Sequence, residues 1–489
     1  MTQPSWKRLL PLLILLVAGT SLGKDRLNVL FLIADDLRND LGCYGSSIAI
    51  TPNIDSLAAS GLRFDRAYCQ KAVCWPSRNS MLSGLLPENL GKANSKLTFR
   101  ASHPDILSLP QLFKDHGYET ASFGKILHNG QDDPASWSRP HFDPPPFNYG
   151  RKENREKHPI INQAVPENNQ NPLYEAADVP DEAYEDGMTT QAAIQVLEEL
   201  AESEKPFFLM VGFHKPHSPF VAPQRDWDLY DPDSIADPFP KGPAKGAPEK
   251  FVFHPSRYLR SFGGFPDSGP ISEQDARTVR HAYLSCVSYI DRLTGEIIKT
   301  LEASGQRERT LIVFTSDHGY HLGEHGLWSK HTTYETATRV PLIFSGPGVA
   351  KGHSTQGLVE LLDLFPTLAE IAELPLPKHL EGKSFAPTLA NPREKARKAA
   401  FSEFSRGGAR GLSIRSANYR YTEWRSLKNG ELQARELYDH GFDPAETRNV
   451  AEETRYAPVI TEMAALLKER LEGEPNSSRP GNKAAELRK

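Results

Sequence analysis

Four cysteines, Cys43, Cys69, Cys74 and Cys286, are all that this chain of 489 residues contains. A fold held together by several disulfides is thereby excluded, and stability is expected to come from core burial. With one cysteine reserved for chemistry, at most one disulfide can form. Cys43 and Cys286 read as small packing residues, and Cys69, close to Cys74 in sequence, need pair with neither. Nor is there a surplus of positive charge: 57 Lys and Arg face 62 Asp and Glu, a net of -5, which argues against nucleic acid as a partner. Long apolar runs are missing apart from Leu9 to Ala18, which is short for a membrane span. That run follows Lys7 and Arg8 and precedes Gly19, Thr20, Ser21 and Gly23, the pattern of an export signal. Residues 1–23 are therefore expected to be a signal peptide, leaving an exported protein with no stable membrane insertion. No internal repeat is visible.

The most distinctive stretch that is present runs from Cys74 to Gly84: Cys-Trp-Pro-Ser-Arg-Asn-Ser-Met-Leu-Ser-Gly. Pro76 suits the first position of a helix and Gly84 the left-handed residue beyond its end, so the spacing predicts a short helix starting just after Cys74. Cys74 then sits at the positive end of the helix dipole with Arg78 one turn on, and both effects favour an anion.

Several Val-, Ile-, Leu- and Phe-rich runs read as buried parallel strands that end abruptly in polar residues. Asn28 to Ala34 ends in Asp35-Asp36, Thr120 to Phe123 in Gly124-Lys125, Phe207 to Phe213 in His214, and Thr310 to Thr315 in Ser316-Asp317-His318. Helices are expected between them, over Ile54 to Ser60, Ser108 to His116, Thr189 to Glu202 and Glu273 to Ala303. The last has Ile290, Leu293, Ile297 and Leu301 as its apolar stripe. This pattern predicts an α/β fold whose large, mostly parallel sheet is flanked by helices. In such sheets ligands bind at the carboxyl ends of the strands, so distant segments can deliver polar groups to one place.

Two regions rich in Pro, Asp and aromatic residues, around Asp132 to Asp181 and Ala222 to Pro270, read as long loops that could wall a substrate pocket. From about Ala400 the pattern changes to short strands, Gly411 to Arg415, Tyr419 to Trp424 and Glu436 to Tyr438, with a turn at Lys428-Asn429-Gly430 and a helix over Pro458 to Leu471. The expected division is a catalytic domain over 24–395 and a C-terminal subdomain over 396–489, a four-stranded antiparallel sheet with a helix and a polar tail.

Adjacent carboxylates Asp35 and Asp36 at a strand end repel unless a cation shares them, which points to a hard divalent metal. Alone, the pair is more often a turn or helix cap; Asp317-His318 at another strand end supplies the second half of a metal site and tips the reading to a metal. Zinc competes, since Asp317, His318, His321 and His325 lie close in sequence. A carboxylate-rich set with one histidine favours calcium or magnesium, leaving His321 and His325 supporting roles. Lys125 and His128, His214 and Lys215, and Lys330 would join Arg78 in surrounding an anion with positive charge, as cleavage of a sulfate or phosphate ester requires.

These residues resemble the type I, formylglycine-dependent sulfatases of the alkaline phosphatase superfamily, most closely the iduronate-2-sulfatase branch. The signature Cys-x-Pro-Ser-Arg followed by Leu-x-Gly is met by Cys74, Pro76, Ser77, Arg78, Leu82 and Gly84. The likeness extends through Asp35-Asp36-Leu37-Arg38, Thr51-Pro52-Asn53-Ile54-Asp55, Phe213-His214-Lys215-Pro216-His217, Thr315-Ser316-Asp317-His318-Gly319 and Tyr419-Arg420-Tyr421-Thr422. Many sulfatases carry Asn where His318 stands; the histidine matches the iduronate-2-sulfatase-like branch.

The resemblance implies that a maturation enzyme, a formylglycine-generating enzyme or another sulfatase maturase, oxidises Cys74 to formylglycine. The hydrate of that aldehyde would attack sulfur with one hydroxyl and expel sulfate with the other. Asp35, Asp36, Asp317 and His318 would hold calcium together with residue 74, with Asp317 also placed to take the attacking proton. Arg78 and Lys125 would hold the hydrate, His128 would deprotonate its second hydroxyl, and Lys330 would bind sulfate near the leaving oxygen. His214 would be the general acid, its proton favoured by the anionic ester. The implied substrate is a sulfated polysaccharide or oligosaccharide, with a uronate 2-sulfate at a chain end suggested by the branch and sulfated galactans as a rival. Two other readings compete: a phosphonate monoester or phosphodiester hydrolase, which shares formylglycine and the Asp-His pair, and a non-catalytic binder of sulfated glycans.

Overall fold

The structure, a computed structural model, describes residues 26–146, 149–157, 171–253, 257–265, 269 and 271–472. The expected signal peptide and the polar tail beyond Glu472 lie outside the described residues.

The four predicted strand runs are all strands of one sheet. Glu119–Gly124, Phe207–Gly212, Asn28–Ala34 and Thr310–Ser316 lie side by side and parallel, Leu342–Ser345 follows antiparallel, and Leu62–Tyr68 continues outward with Arg339–Val340 and His353–Glu360 beside it. The central strands are buried on both faces, which accounts for their unbroken apolar character. Alternation still sorts them: Leu30, Leu32, Leu209, Val211, Ile312 and Phe314 enter one core, while Val29, Phe31, Ile33, Phe208, Met210 and Val313 enter the other.

Each face has its own helices. The long helix Glu273–Ala303 and the helix Glu185–Ala201 cover the first core, with Ile290, Leu293, Ile297 and Leu301 fully buried as the stripe predicted. The second core is covered by Cys74–Ser83, Leu109–Asp115 and Leu364–Ile371. Two starts differ from the sequence reading. Helix Glu185–Ala201 begins one turn before Thr189, and the Cys74 helix includes Cys74 itself, so Pro76 is its third residue rather than its first. Pro76 is tolerated because the first-turn N–H it lacks has no helical partner in any case.

The two long loops are less irregular than expected. Tyr174–Ala177 in the first pairs in parallel with Phe220–Pro223 at the edge of the second, and short helices interrupt both. A four-residue strand carries too little pattern to be seen in sequence.

From Ala400 the chain forms a separate four-stranded antiparallel sheet, Ala400–Arg406, Ala409–Arg415, Tyr419–Ser426 and Leu432–Asp439, in sequential order. Helix Ala457–Glu472 packs on it through Met463 and Leu467. Buried charge joins this sheet to the larger one: Glu335 accepts from Arg415 Nε (3.1 Å) and Arg420 Nη2 (2.5 Å), and Arg420 Nε reaches Glu446 at 2.7 Å.

Candidate active site

Strand register brings the polar ends together. Ala34 is level with Ser316, and Gly124 with Gly212, so Asp35, Asp317, Lys125 and the segment from Phe213 leave the sheet along one edge. Two glycines make the turn possible. A Cβ on Gly124 would sit 2.2 Å from the Gly212 carbonyl, and one on Gly212 would sit 2.0 Å from that of Lys125, distances no side chain survives. Asp36 takes a left-handed backbone (φ 66°), held by a bond from its N–H to Asp317 Oδ1 (3.2 Å) and one from Tyr283 Oη to its carbonyl (2.8 Å). The two aspartates thus turn in different directions around the same point.

Asp35, Cys74, Asp317 and His318 each place one donor atom within 4.8 Å of all the others, and all four are buried. Asp36 shares a similar group with Cys74 and His217. Two lysines sit on the aspartate pair: Lys125 Nζ is ion-paired to Asp35 Oδ2, and Lys330 Nζ lies 2.6 Å from Asp36 Oδ1. The other oxygen of each carboxylate, Asp35 Oδ1 and Asp36 Oδ2, is buried without a hydrogen-bond partner. Buried carboxylate oxygens are almost always satisfied, and two orphans on adjacent residues, each carboxylate clustered with Cys74 and a histidine, fit a hard divalent cation.

Arg78 is fully buried. Its Nε donates to Asp317 Oδ2 (2.8 Å), its Nη1 to the Lys125 carbonyl and to that of Ile126 (3.3 Å), and its Nη2 to the Ala34 carbonyl (3.2 Å). Ser77 Oγ donates to the Asp317 carbonyl at 2.5 Å. One turn of helix therefore clamps three strand ends. Cys74 Sγ, in the place where the oxygens of a hydrated formylglycine would stand, lies 3.0 Å from Lys330 Nζ and 3.4 Å from His318 Nε2.

The charges act on one another strongly. Burial alone would push the Cys74 thiol up, but Lys330, Lys125, His318 and a hydrogen bond with His128 hold it well below the usual thiol range. Burial and Cys74 likewise push Asp35 up, and Lys125, His217 and Lys330 override them to hold it well below the carboxylate range. Asp317 goes the other way: burial raises it to about 7, with Arg78 offsetting only part. Burial lowers His318, yet Asp317 and Cys74 bring it up to about 9. A cation at these oxygens would favour the ionised carboxylates and the neutral, ligating imidazole.

The remaining expected residues fall around this centre. His128 is half-buried, with Nδ1 lacking a partner. His214 presents Nδ1 to Glu185 Oε2 at 3.6 Å and Asp186 Oδ1 at 3.8 Å. Burial first, then Lys125, hold His214 well below the ordinary imidazole range, so the free site favours its neutral form. His321 and His325 stay out of the cluster: His321 Nε2 bonds Thr332 Oγ1 (2.9 Å), and His325 stacks on Tyr334 at 4.3 Å. The four cysteines are all free.

Two residues were given no role by sequence reasoning. His217 comes within 3.9 Å of Asp36 Oδ2, and its place in Lys215-Pro216-His217, just after a strand end, was the available signal. Asp186 accepts the backbone N–H groups of both His214 and Lys215, at 2.6 and 2.9 Å; nothing in sequence distinguished it from an ordinary helix-start acid.

The sulfatase family profile matches residues 27–374, and the profile described as N-sulphoglucosamine sulphohydrolase, C-terminal, matches 323–473. This chain belongs to the sulfatase family. It is an enzyme that hydrolyses sulfate esters. It is 33% identical over 520 residues to iduronate 2-sulfatase of Mus musculus, covering 89% of this chain and 93% of that protein. Among solved structures, a protein bound to its substrate D-glucosamine-2-N,6-O-disulfate superposes with a TM-score of 0.73 at 23% identity, over 93% of this chain and all of that one (100%), a likeness of fold. The phosphonate monoester hydrolase of Silicibacter pomeroyi superposes with a TM-score of 0.74 at 25% identity, over 92% and 96% of the two chains. The fold read from sequence is therefore the sulfatase fold, and no helix among the described residues is long and apolar enough to cross a membrane.

Proposed function

We propose that this sulfatase is exported, carries formylglycine at position 74 and calcium beside it, and removes a sulfate ester from a sulfated polysaccharide or oligosaccharide in the manner of an iduronate 2-sulfatase. The observation that carries the reading is the pair of orphaned carboxylate oxygens, Asp35 Oδ1 and Asp36 Oδ2, on carboxylates that cluster with Cys74 and with His318 and His217 respectively, beside Lys125 and Lys330.

Asp35, Asp36, Asp317, His318 and residue 74 would hold calcium, which when bound would supply Lewis-acid polarisation of a sulfate oxygen. Conversion of Cys74 removes two electrons from its Cβ to the maturase's oxidant and releases the sulfur as sulfide, leaving an aldehyde whose hydrate supplies the nucleophilic oxygen. Asp317 accepts the proton of the attacking hydroxyl. Arg78 and Lys125 orient residue 74, and His128 removes the proton of its second hydroxyl. Lys330, already 3.0 Å from Cys74 Sγ, binds the sulfate where negative charge develops on the leaving oxygen. His214 protonates that oxygen, its proton favoured by the anionic ester.

Mass spectrometry of the tryptic peptide holding residue 74, after co-expression with a maturase, tests the modification, and turnover of p-nitrophenyl sulfate tests the bond. Active enzyme carrying only unmodified cysteine would refute the mechanism. The phosphonate monoester or phosphodiester reading is supported by the likeness to the Silicibacter enzyme. Preference for bis(p-nitrophenyl) phosphate over p-nitrophenyl sulfate would establish it instead.

A further inference from the structure

Arg406 ends the first strand of the C-terminal sheet, Ala400–Arg406, yet it reaches the segment that carries Lys330. Its Nη2 donates to the carbonyl of His331 at 3.2 Å, and His331 follows Lys330, whose Nζ touches Cys74. The guanidinium lies over the Phe404 ring, Cζ to centroid 5.2 Å, and the His331 ring stacks on the same phenylalanine at 5.6 Å. The segment Glu249–Val252, from the second of the two pocket-wall regions, closes on the same spot. A Cβ on Gly407 would meet the Lys250 carbonyl at 3.0 Å.

Arg406 is half-buried, and among the described residues its Nη1 is buried with no hydrogen-bond partner and no carboxylate pairs with it. Arg78, Arg420, Arg415 and Arg38 are by contrast matched, with Asp317, Glu446, Glu335 and Glu324. Those four are pushed up by their carboxylates, whereas burial pulls Arg406 down to about 10. A guanidinium keeps its charge at neutral pH, and leaving it half-buried with no counter-ion costs stability. Stacking on Phe404 offsets little of that cost. The planar fork is shaped for an oxyanion, and the segment it bonds leads directly to Lys330.

Resting on the glycan-sulfatase reading, we propose that Arg406 binds a second anionic group of the substrate, a carboxylate or a further sulfate on the sugar that carries the scissile ester. The C-terminal sheet then supplies specificity, while the main sheet supplies chemistry. Singly charged sulfates leave Arg406 unpaired; sugars with two anionic groups satisfy it.

The test uses the matured, calcium-loaded enzyme and its Arg406→Met and Arg406→Lys variants on three substrates: a uronate 2-sulfate, a disulfated glucosamine and p-nitrophenyl sulfate. In Arg406→Met the ratio of kcat/KM for at least one doubly anionic sugar to that for p-nitrophenyl sulfate should fall about ten- to hundredfold, mainly through KM. Arg406→Lys should recover part of it. Loss confined to the uronate assigns a carboxylate; loss confined to the disulfated sugar assigns a sulfate. Because the removed charge is unpaired, the Tm of Arg406→Met should not fall. Equal loss on all three substrates, no loss on any, or a wild type with no selectivity for doubly anionic sugars would overturn the inference. A wild type that cleaves none of the sulfates would refute the underlying reading instead.

Discussion

Arg78 Nε donates to Asp317 Oδ2 across 2.8 Å with both side chains fully buried, although 239 residues separate them. This bond joins the helix that begins with Cys74 to the strand end that carries Asp317 and His318, and the same guanidinium caps two other strand ends. Removing it should strand Asp317 and three carbonyls in the interior. Arg78→Met is expected to lower stability by about 3–5 kcal/mol, read by urea denaturation, and to abolish turnover; a variant as stable as wild type would show that the clamp is dispensable.

Cys74 begins a helix, belongs to none of the hydrophobic core clusters and bonds Lys330 and His318. Cys74→Ala should therefore leave the thermal melt close to that of wild type while eliminating sulfate release. Normal turnover by this variant is incompatible with any chemistry at residue 74.

The orphaned oxygens of Asp35 and Asp36 mean that the folded, metal-free site stores carboxylate repulsion that a cation relieves. Chelation should remove activity and lower Tm, and calcium should restore both, the Tm rising with calcium concentration as a ligand of the native state demands. Asp36→Asn should blunt the calcium-dependent Tm shift. An enzyme indifferent to chelators would exclude the metal.

The proposed acid, His214, matters most when the leaving alcohol is poor. His214→Gln should reduce kcat on a sugar sulfate by about a hundredfold or more and on p-nitrophenyl sulfate far less. Equal losses on both would reassign His214 to substrate binding.

Away from the site, Glu436 is buried between Tyr438 Oη and Trp424 Nε1, each donating at 2.6 Å, and burial raises it to about 7 from 4.5. The folded state holds this proton more tightly than the unfolded chain does. Its stabilising contribution is thus complete below about pH 4.5 and is lost as pH rises through 7. Urea denaturation should find wild type losing stability between pH 5 and 8 relative to Glu436→Gln, by on the order of 3 kcal/mol. Parallel pH profiles for the two proteins would contradict this.

Much of the architecture was legible because the strands are doubly buried and end in charge. Asn28 to Ala34 and Thr310 to Ser316 announce themselves as apolar runs, and the abrupt Asp35-Asp36 and Asp317-His318 mark where they meet solvent or a site. The helix over Glu273–Ala303 was equally plain from its stripe. The pairing of Tyr174–Ala177 with Phe220–Pro223 was not, since four residues hold no periodicity and the partner lies in another loop. The first turn of Glu185–Ala201 lay outside the expected Thr189 to Glu202 because polar Glu185 and Asp186 add nothing to an apolar stripe, although both are buried beside His214.

Local chemistry, by itself, singled out the candidate residues: a cysteine and an arginine one turn apart, and adjacent carboxylates that repel unless a cation shares them. Tertiary structure alone decided how each charge is balanced. Lys125 on one aspartate, Lys330 on the other, His217 beside them and Arg406 left without a counter-ion all follow from strand register and from the docking of the C-terminal sheet. Pairing energies depend on distance and burial, and no sequence spacing contains either across hundreds of residues.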